Sequence, residues 1–206
     1  GRWDGSNAAF GVGCGALCGD GTLDGVDMTS SQRDKECADI LMQMGAHREV
    51  SSCGTSMDST SATGGLSSIR CTGNGLSAAD IDVAQIPDLV PVLATVMALA
   101  DGTSEITHAE RLRIKESDRI FTVHDFLSKL GADITDEGSG LSVRGSRTLS
   151  GGEVYGHNDH RIVMAAAVAS CGCTGPVIIR GAEAVNKSYP DFFRDFAALG
   201  GEVCEL

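Results

Sequence analysis

The stretch Pro87–Gly102, PDLVPVLATVMALADG, decides how this sequence folds. From Leu89 to Ala100 the side chains are apolar all round a helical wheel, with Thr95 as the one hydroxyl. A helix that is apolar on every side is buried within a protein, where it needs other elements packed around it. Asp101 and Gly102 then break the run, and TSEITHAE (residues 103–110) reads as a strand leaving that helix. The expected architecture therefore has helices at its centre and sheets outside.

The same grammar occurs three times. A small-residue helix leads into a strand, a polar turn opens an amphipathic helix, and that helix stops at a glycine. The first copy runs SNAAFGVGCGALCG, GTLDGVDM, SQRDKECADILMQMGA and on through GGLSSIRCT. The second runs from PDLVPVLATVMALADG through KESDRIFTVHDFLSKLGADI to GLSVRG. The third comprises NDHRIVMAAAVASCG, PVIIRGAE and SYPDFFRDFAALGGEVCEL. MGA (44–46), LGA (130–132) and LGG (199–201) close the amphipathic helices, as a left-handed C-terminal cap requires. In the second copy a helix over 115–130 places Ile120, Val123, Phe126, Leu127 and Leu130 on one face. The spacing between those glycines is irregular, which excludes an open solenoid and favours one closed α+β domain over residues 1–206, built from three βαβαββ-like units. Residues 53–65 and 134–152, rich in Ser, Gly and Thr, read as hairpin turns and surface loops.

Composition narrows the function classes. The chain has 206 residues and a net charge of −12, which argues against nucleic acid or an anionic membrane as a partner. No apolar run reaches the ~18 residues of a membrane helix. Eight cysteines lie mostly in apolar runs without paired CxxC knuckles, so buried thiols in a reducing, cytoplasmic setting are expected and no metal site is. The chain begins at Gly1 without Met, so an upstream portion is expected.

Within this acidic chain, Arg111, Arg113, Lys115 and Arg119 put four of the 16 cations into nine positions, RLRIKESDR, where a helix opens. Helix starts carry partial positive charge, so cations there are locally unfavourable unless an anion joins them. Local ion pairs with Glu116 and Asp118 on a solvated face are the simpler explanation. Three further places sit at helix starts. In QIPDLVP, Asp88 either caps the apolar helix or faces a site, with Pro91 in the first turn. In GHNDHRIV, Asn158 is the expected cap and Arg161 lies in the first turn, while His157 and His160 lack a third metal ligand. In AVNKSYPDFF, Ser188 is the expected cap with Lys187 just before it. If the units orient their helices alike, these starts converge on one face that holds phosphate and carboxylate groups, with acid/base residues between them.

These motifs resemble the enolpyruvyl transferase family, in its branch that acts on shikimate 3-phosphate. IPDLVPVLATVMALADGTSEI, RLRIKESDRI, NDHRIVMAAAVA and NKSYPDFF occur in the family's order, preceded by DGSNAAF and SSQRDKECADILMQMGA. The resemblance implies transfer of the carboxyvinyl group of phosphoenolpyruvate to the 5-hydroxyl of shikimate 3-phosphate, with release of phosphate and with no cofactor or metal. It implies that Asp88 is the proton acceptor at the reacting hydroxyl and Glu116 the proton donor. Lys115 is implied as a shikimate-phosphate-side contact near the reacting atoms, and Arg119, Arg161 and Lys187 as the cations that bind phosphoenolpyruvate. Bidentate arginines suit a substrate carrying both a phosphate and a carboxylate.

Two departures qualify what the resemblance implies. SSQ (30–32) imitates a substrate-phosphate motif of the family's other domain but precedes RDKECADIL, so no role is carried to it. Family chains are roughly twice this length and place the site between two similar domains. This chain corresponds to one of them, so the other domain is an expected partner and the chain alone is expected to be inactive. The alternatives are the family's branch that uses UDP-N-acetylglucosamine as acceptor and a non-catalytic binding or assembly module.

Overall fold

The structure is a computed structural model that describes residues 8–18, 21–27, 32–52, 66–72 and 75–205. The turn expected over 53–65 and the SS of the SSQ motif lie outside the described residues. Helix α1 (Ala8–Cys18) is followed by β1 (Gly21–Asp27), α2 (Gln32–Gln43), β2 (His47–Ser52) and β3 (Leu66–Thr72). After the short β4 (Ile81–Asp82), the order helix, strand, helix, strand, strand returns as α3 (Val90–Ala98), β5 (Asp101–Thr107), α4 (Arg119–Lys129), β6 (Asp133–Asp136) and β7 (Leu141–Ser146). The last run is β8 (Gly152–Tyr155), α5 (His160–Ser170), β9 (Val177–Arg180) and α6 (Phe192–Ala198).

The described strands form three sheets: β1–β3–β2, β4–β5–β7–β6 and β8–β9. The first is antiparallel, the third parallel, and the second joins β4 parallel to β5 before two antiparallel pairs. Within residues 134–152, read from sequence as hairpin turns and surface loops, β6 and β7 pair as a hairpin and Gly152 starts β8. Thr135 and Ser146 lie exposed on these strands, and Ser139, Thr148 and Ser150 lie exposed between them.

All nine residues of α3 are buried, as its all-round apolar pattern requires. Arg161 through Ala169 of α5 are buried as well, and α1, α3 and α5 touch one another pairwise. Small side chains permit that approach: a Cβ on Gly13 would lie 2.8 Å from Val92 Cγ2. By contrast α4 is amphipathic, burying Ile120, Val123, Phe126 and Leu127 while Phe121 faces outward.

The expected glycine stops are present. Gly45, Gly131 and Gly200 have φ of +101°, +92° and +101°, a region open to glycine at little cost. In each case the next residue donates its N–H five positions back, from Ala46 to Leu41, Ala132 to Leu127 and Gly201 to Phe196. Those bonds satisfy carbonyls that a helix end otherwise leaves open. The cysteines depart from expectation: Cys14 and Cys37 are buried and Cys173 is half-buried, but Cys171 and Cys204 are exposed.

Candidate active site

The starts of α3, α4 and α5 meet, and each brings ionisable groups. Before α3 a 3-10 turn, Pro87–Leu89, carries Asp88. Before α4 a second 3-10 turn, Glu110–Ile114, leads through Lys115 and Glu116 to Asp118, whose carboxylate accepts from the Phe121 N–H and caps the helix. At α5 the cap is Asp159, which accepts from the Arg161 N–H at 3.0 Å.

Arg119 joins all three places. Its side chain has no solvent exposure. Nε donates to Asp159 Oδ2 at 2.7 Å and Nη1 to Asp88 Oδ1 at 2.8 Å. Nη2 donates to Glu116 Oε2 and to Asp159 Oδ1. Asp88 also receives Lys115 Nζ at 3.2 Å, and Arg161 Nη1 donates to the Asp88 carbonyl oxygen at 3.3 Å. The Arg161 guanidinium approaches the Asp88 carboxylate to 3.8 Å. Ser117 adds an O–H bond to Asp159 Oδ2 at 3.0 Å.

Charges this close decide protonation. Burial pushes the Asp88 carboxyl up, but Arg161, Lys115 and Arg119 outweigh it and hold it below its ordinary value. Asp159 behaves alike: burial opposes its charge, and the Arg119 hydrogen bond and charge overcome that. Arg119 loses from burial and gains more from Asp159, Glu116 and Asp88, so its charge is reinforced. Arg161 is pulled down by burial despite Asp88, and His160 by burial and then by Arg161. The outcome is a cluster of fixed cations around ionised carboxylates, with Glu116 half exposed beside it. Such a surface can hold an anion and exchange protons at its rim.

The structure brings Asp88, Lys115, Glu116, Arg119 and Arg161 into one connected network. Lys187 joins from the side, donating to the backbone oxygen of Asn158 at 2.7 Å and to its Oδ1. Several local readings change. Helix α4 starts at Arg119 and not at residue 115, because Asp118 is the capping residue. Asp159, one position beyond the expected Asn158, caps α5. Ser188 ends a 3-10 helix (Ala182–Lys187), and α6 begins at Phe192. Asp88 sits inside its turn, with Ile86 and Leu89 at the cap positions. Arg113 belongs to the plainer explanation of the cation cluster: it pairs with Asp118 and Asp136 and ties the turn to β6. His157 contacts Asp125. The network also takes in Asp159 and Ser117, which the sequence does not single out. Two adjacent capping types, Asn158 and Asp159, left that choice open in the sequence.

A family model described as EPSP synthase (3-phosphoshikimate 1-carboxyvinyltransferase) matches residues 3–196. The chain belongs to the EPSP synthase family. A 3-phosphoshikimate 1-carboxyvinyltransferase of Clostridium perfringens is 46% identical over 202 residues, covering 98% of this chain and 45% of that protein. One from Clostridioides difficile is 40% identical over 203 residues, 98% of this chain and 43% of the relative. The chain thus spans less than half the length of these relatives. Among solved structures, EPSP synthase from Acinetobacter baumannii superposes with a TM-score of 0.79 at 30% identity, covering 97% of this chain and 47% of that one. The fold is therefore that of the enolpyruvyl transferases, with its helices and sheets.

Proposed function

We propose that this chain supplies one wall of the active site of a 3-phosphoshikimate 1-carboxyvinyltransferase. The observation that carries the reading is the junction of Asp88, Lys115, Glu116, Arg119 and Arg161 where α3, α4 and α5 begin. The names of the relatives supply the reaction, and family membership supplies the donor, phosphoenolpyruvate.

In this reading Arg161 and Lys187 face the phosphate and carboxylate of phosphoenolpyruvate, Arg119 stands behind them and holds the carboxylates, and Lys115 lies on the shikimate 3-phosphate side. Asp88, held ionised by its cations, takes the proton of the 5-hydroxyl as that oxygen bonds to C2 of phosphoenolpyruvate. Glu116 delivers a proton to C3, which becomes a methyl group in a tetrahedral intermediate. Loss of phosphate from C2 and of a proton from that methyl group restores the double bond as an enol ether. Cations already in place stabilise the anionic groups without reorganising. The opposing wall belongs to the portion of the relatives that this chain does not match. We further read the helix–strand–helix–strand–strand order as copies of one unit, the third shorter, supported by the three glycine-stopped helices. The thiol-rich, acidic chain fits a cytoplasmic enzyme.

The test uses the complete enzyme that carries this chain. Phosphate release from phosphoenolpyruvate is expected with shikimate 3-phosphate and not with UDP-N-acetylglucosamine. Release with the nucleotide sugar alone would reassign the acceptor, and release with neither would overturn the reaction.

A further inference from the structure

We propose that Asp159 is a positioning residue that fixes the reactive carboxylates Asp88 and Glu116 by way of Arg119. Asp159 is fully buried, and its two oxygens join the segment that opens α4, through Ser117 and Arg119, to the first turn of α5. Oδ2 accepts from Arg119 Nε and from the Ser117 hydroxyl, at 2.7 and 3.0 Å. Oδ1 accepts from the Arg161 N–H and from Arg119 Nη2, at 3.0 and 3.3 Å. One carboxylate therefore caps α5, anchors the turn that carries Lys115 and Glu116, and orients the Arg119 guanidinium. The plane of that guanidinium is then set, so Nη1 points at Asp88 and Nη2 at Glu116. A guanidinium is a rigid fork, and holding its Nε edge fixes where the other N–H groups aim. Arg119 thereby acts as the hub that spaces the two carboxylates. In this arrangement Lys115 and Lys187 are the exposed cations of the cluster, while Arg161 is buried beside Asp88.

Asp159→Asn isolates that role, because Asn is as good a helix cap as Asp and keeps an acceptor for the Arg161 N–H. What it removes is the charge facing Arg119. Ser117→Ala removes one support of Asp159 without touching the ion pair, and it serves if Asp159→Asn fails to fold. The first readout needs no activity: the exchange rate of the Arg119 Nε–H with water, measured by 15N NMR on this chain and assigned by its loss in Arg119→Lys. Slow exchange is expected in the parent, with acceleration of tenfold or more in Asp159→Asn and a smaller one in Ser117→Ala, given the strength of charge-assisted hydrogen bonds. Unchanged exchange in folded Asp159→Asn, or in Ser117→Ala if the former is unfolded, would overturn the proposal.

The kinetic consequence rests on the carboxyvinyl-transfer reading. In the complete enzyme Asp159→Asn is expected to lower kcat by about 10–100-fold, the worth of one charge-assisted bond, and to leave the KM for shikimate 3-phosphate within about threefold. A parental kcat in Asp159→Asn, with its Arg119 N–H exchange accelerated, would deny the positioning role. If the parental enzyme turns over neither substrate, the reaction assignment fails and the exchange measurement alone decides the role of Asp159.

Discussion

Asp88 Oδ1 lies 2.8 Å from Arg119 Nη1 and 3.2 Å from Lys115 Nζ, so one carboxylate oxygen is shared by the first residue of α4 and a cation of the turn before it. A carboxylate held this way stays ionised and ready to accept a proton, and its conversion to an amide removes the base while keeping the shape. Asp88→Asn in the complete enzyme is expected to lower kcat by about 10²–10⁴-fold with substrate affinity within an order of magnitude. Glu116→Gln is expected to behave alike. Near-parental kcat in both variants, measured by phosphate release at saturating substrates, would return both residues to a structural role.

Arg119 and Arg161 should separate in their consequences. Arg119 is fully buried and faces Asp88, Glu116 and Asp159, so Arg119→Ala strands Asp88 and Asp159, whose burial disfavours the anion. The expected loss is roughly 3–5 kcal/mol of folding stability, seen as a lowered urea midpoint. Arg161→Ala leaves that trio intact and should chiefly weaken phosphoenolpyruvate use, about ten- to hundredfold in kcat/KM. The strand residue Arg144, away from the site, provides the control. Equal urea midpoints for all three alanine variants would contradict the hub arrangement.

Much of this was legible in the residues. The all-apolar run around Val90–Ala98 could only be an interior helix, and MGA, LGA and LGG could only be left-handed stops. The candidate residues meet where helix starts were expected to converge, with Lys187 arriving from a 3-10 helix instead. Less legible were short 3-10 turns, whose period the helical pattern does not reveal, and they moved the boundaries around Asp88, Lys115 and Lys187. Sequence spacing also carries no solvent exposure. Arg119 therefore read as a ligand-facing cation, while its guanidinium is buried among carboxylates.

Acid sensitivity should trace to the same carboxylates. The Asp159 carboxyl is held below its ordinary value in the folded chain. Its contribution to stability is fully present above the unfolded value of about 3.9 and is lost as pH falls through the folded value beneath it. Urea unfolding between roughly pH 5 and pH 2 should show parental stability dropping on acidification. Asp159→Asn is less stable at pH 5 and should show a flatter dependence. Parallel pH profiles would mean that the ion pair is not linked to folding.

His160 offers a second titration. Burial, followed by the Arg161 charge, lowers its proton affinity. The imidazole should therefore titrate below the ordinary value of about 6.5 in NMR, and Arg161→Ala should move it upward without fully restoring it. Because the folded value is depressed, the related stability is present above about pH 6.5 and declines as the ring is forced to charge at lower pH. An upward shift is the required sign; a downward shift in Arg161→Ala would contradict the proximity of the two groups.

The helix contact at Gly13 can be tested without any activity. A Cβ there meets Val92 Cγ2 at 2.8 Å, and Val92 is a buried, β-branched side chain with few rotamers. Replacing Gly by Ala in a helix gains about 1 kcal/mol from propensity, while overpacking a core costs typically 1–3 kcal/mol. Gly13→Ala should thus be neutral to destabilising, and Gly13→Val clearly destabilising. Val92→Ala should recover stability in the Gly13→Ala background relative to its effect alone, giving a favourable coupling in a double-mutant cycle. Additive effects would place α1 and α3 further apart than the structure does.

The final prediction is that the 206-residue chain on its own does not turn over phosphoenolpyruvate and shikimate 3-phosphate. The site surface leaves Glu116 half exposed and Lys187 exposed, and the chain matches less than half the length of its relatives. Carboxyvinyl transfer needs two anionic substrates aligned and shielded from water, and alignment alone can account for about 7–11 kcal/mol of barrier reduction. A single open face can attract anions without holding two of them in register. Binding of phosphoenolpyruvate to the isolated chain should therefore be millimolar at best, about −4 kcal/mol, and weakened by salt because exposed cations are screened. Adding the separately produced remainder of the enzyme should restore phosphate release to the extent that the two pieces associate. Sustained turnover by the chain alone would mean that the residues at the starts of α3, α4 and α5 form a complete site and not one wall of it.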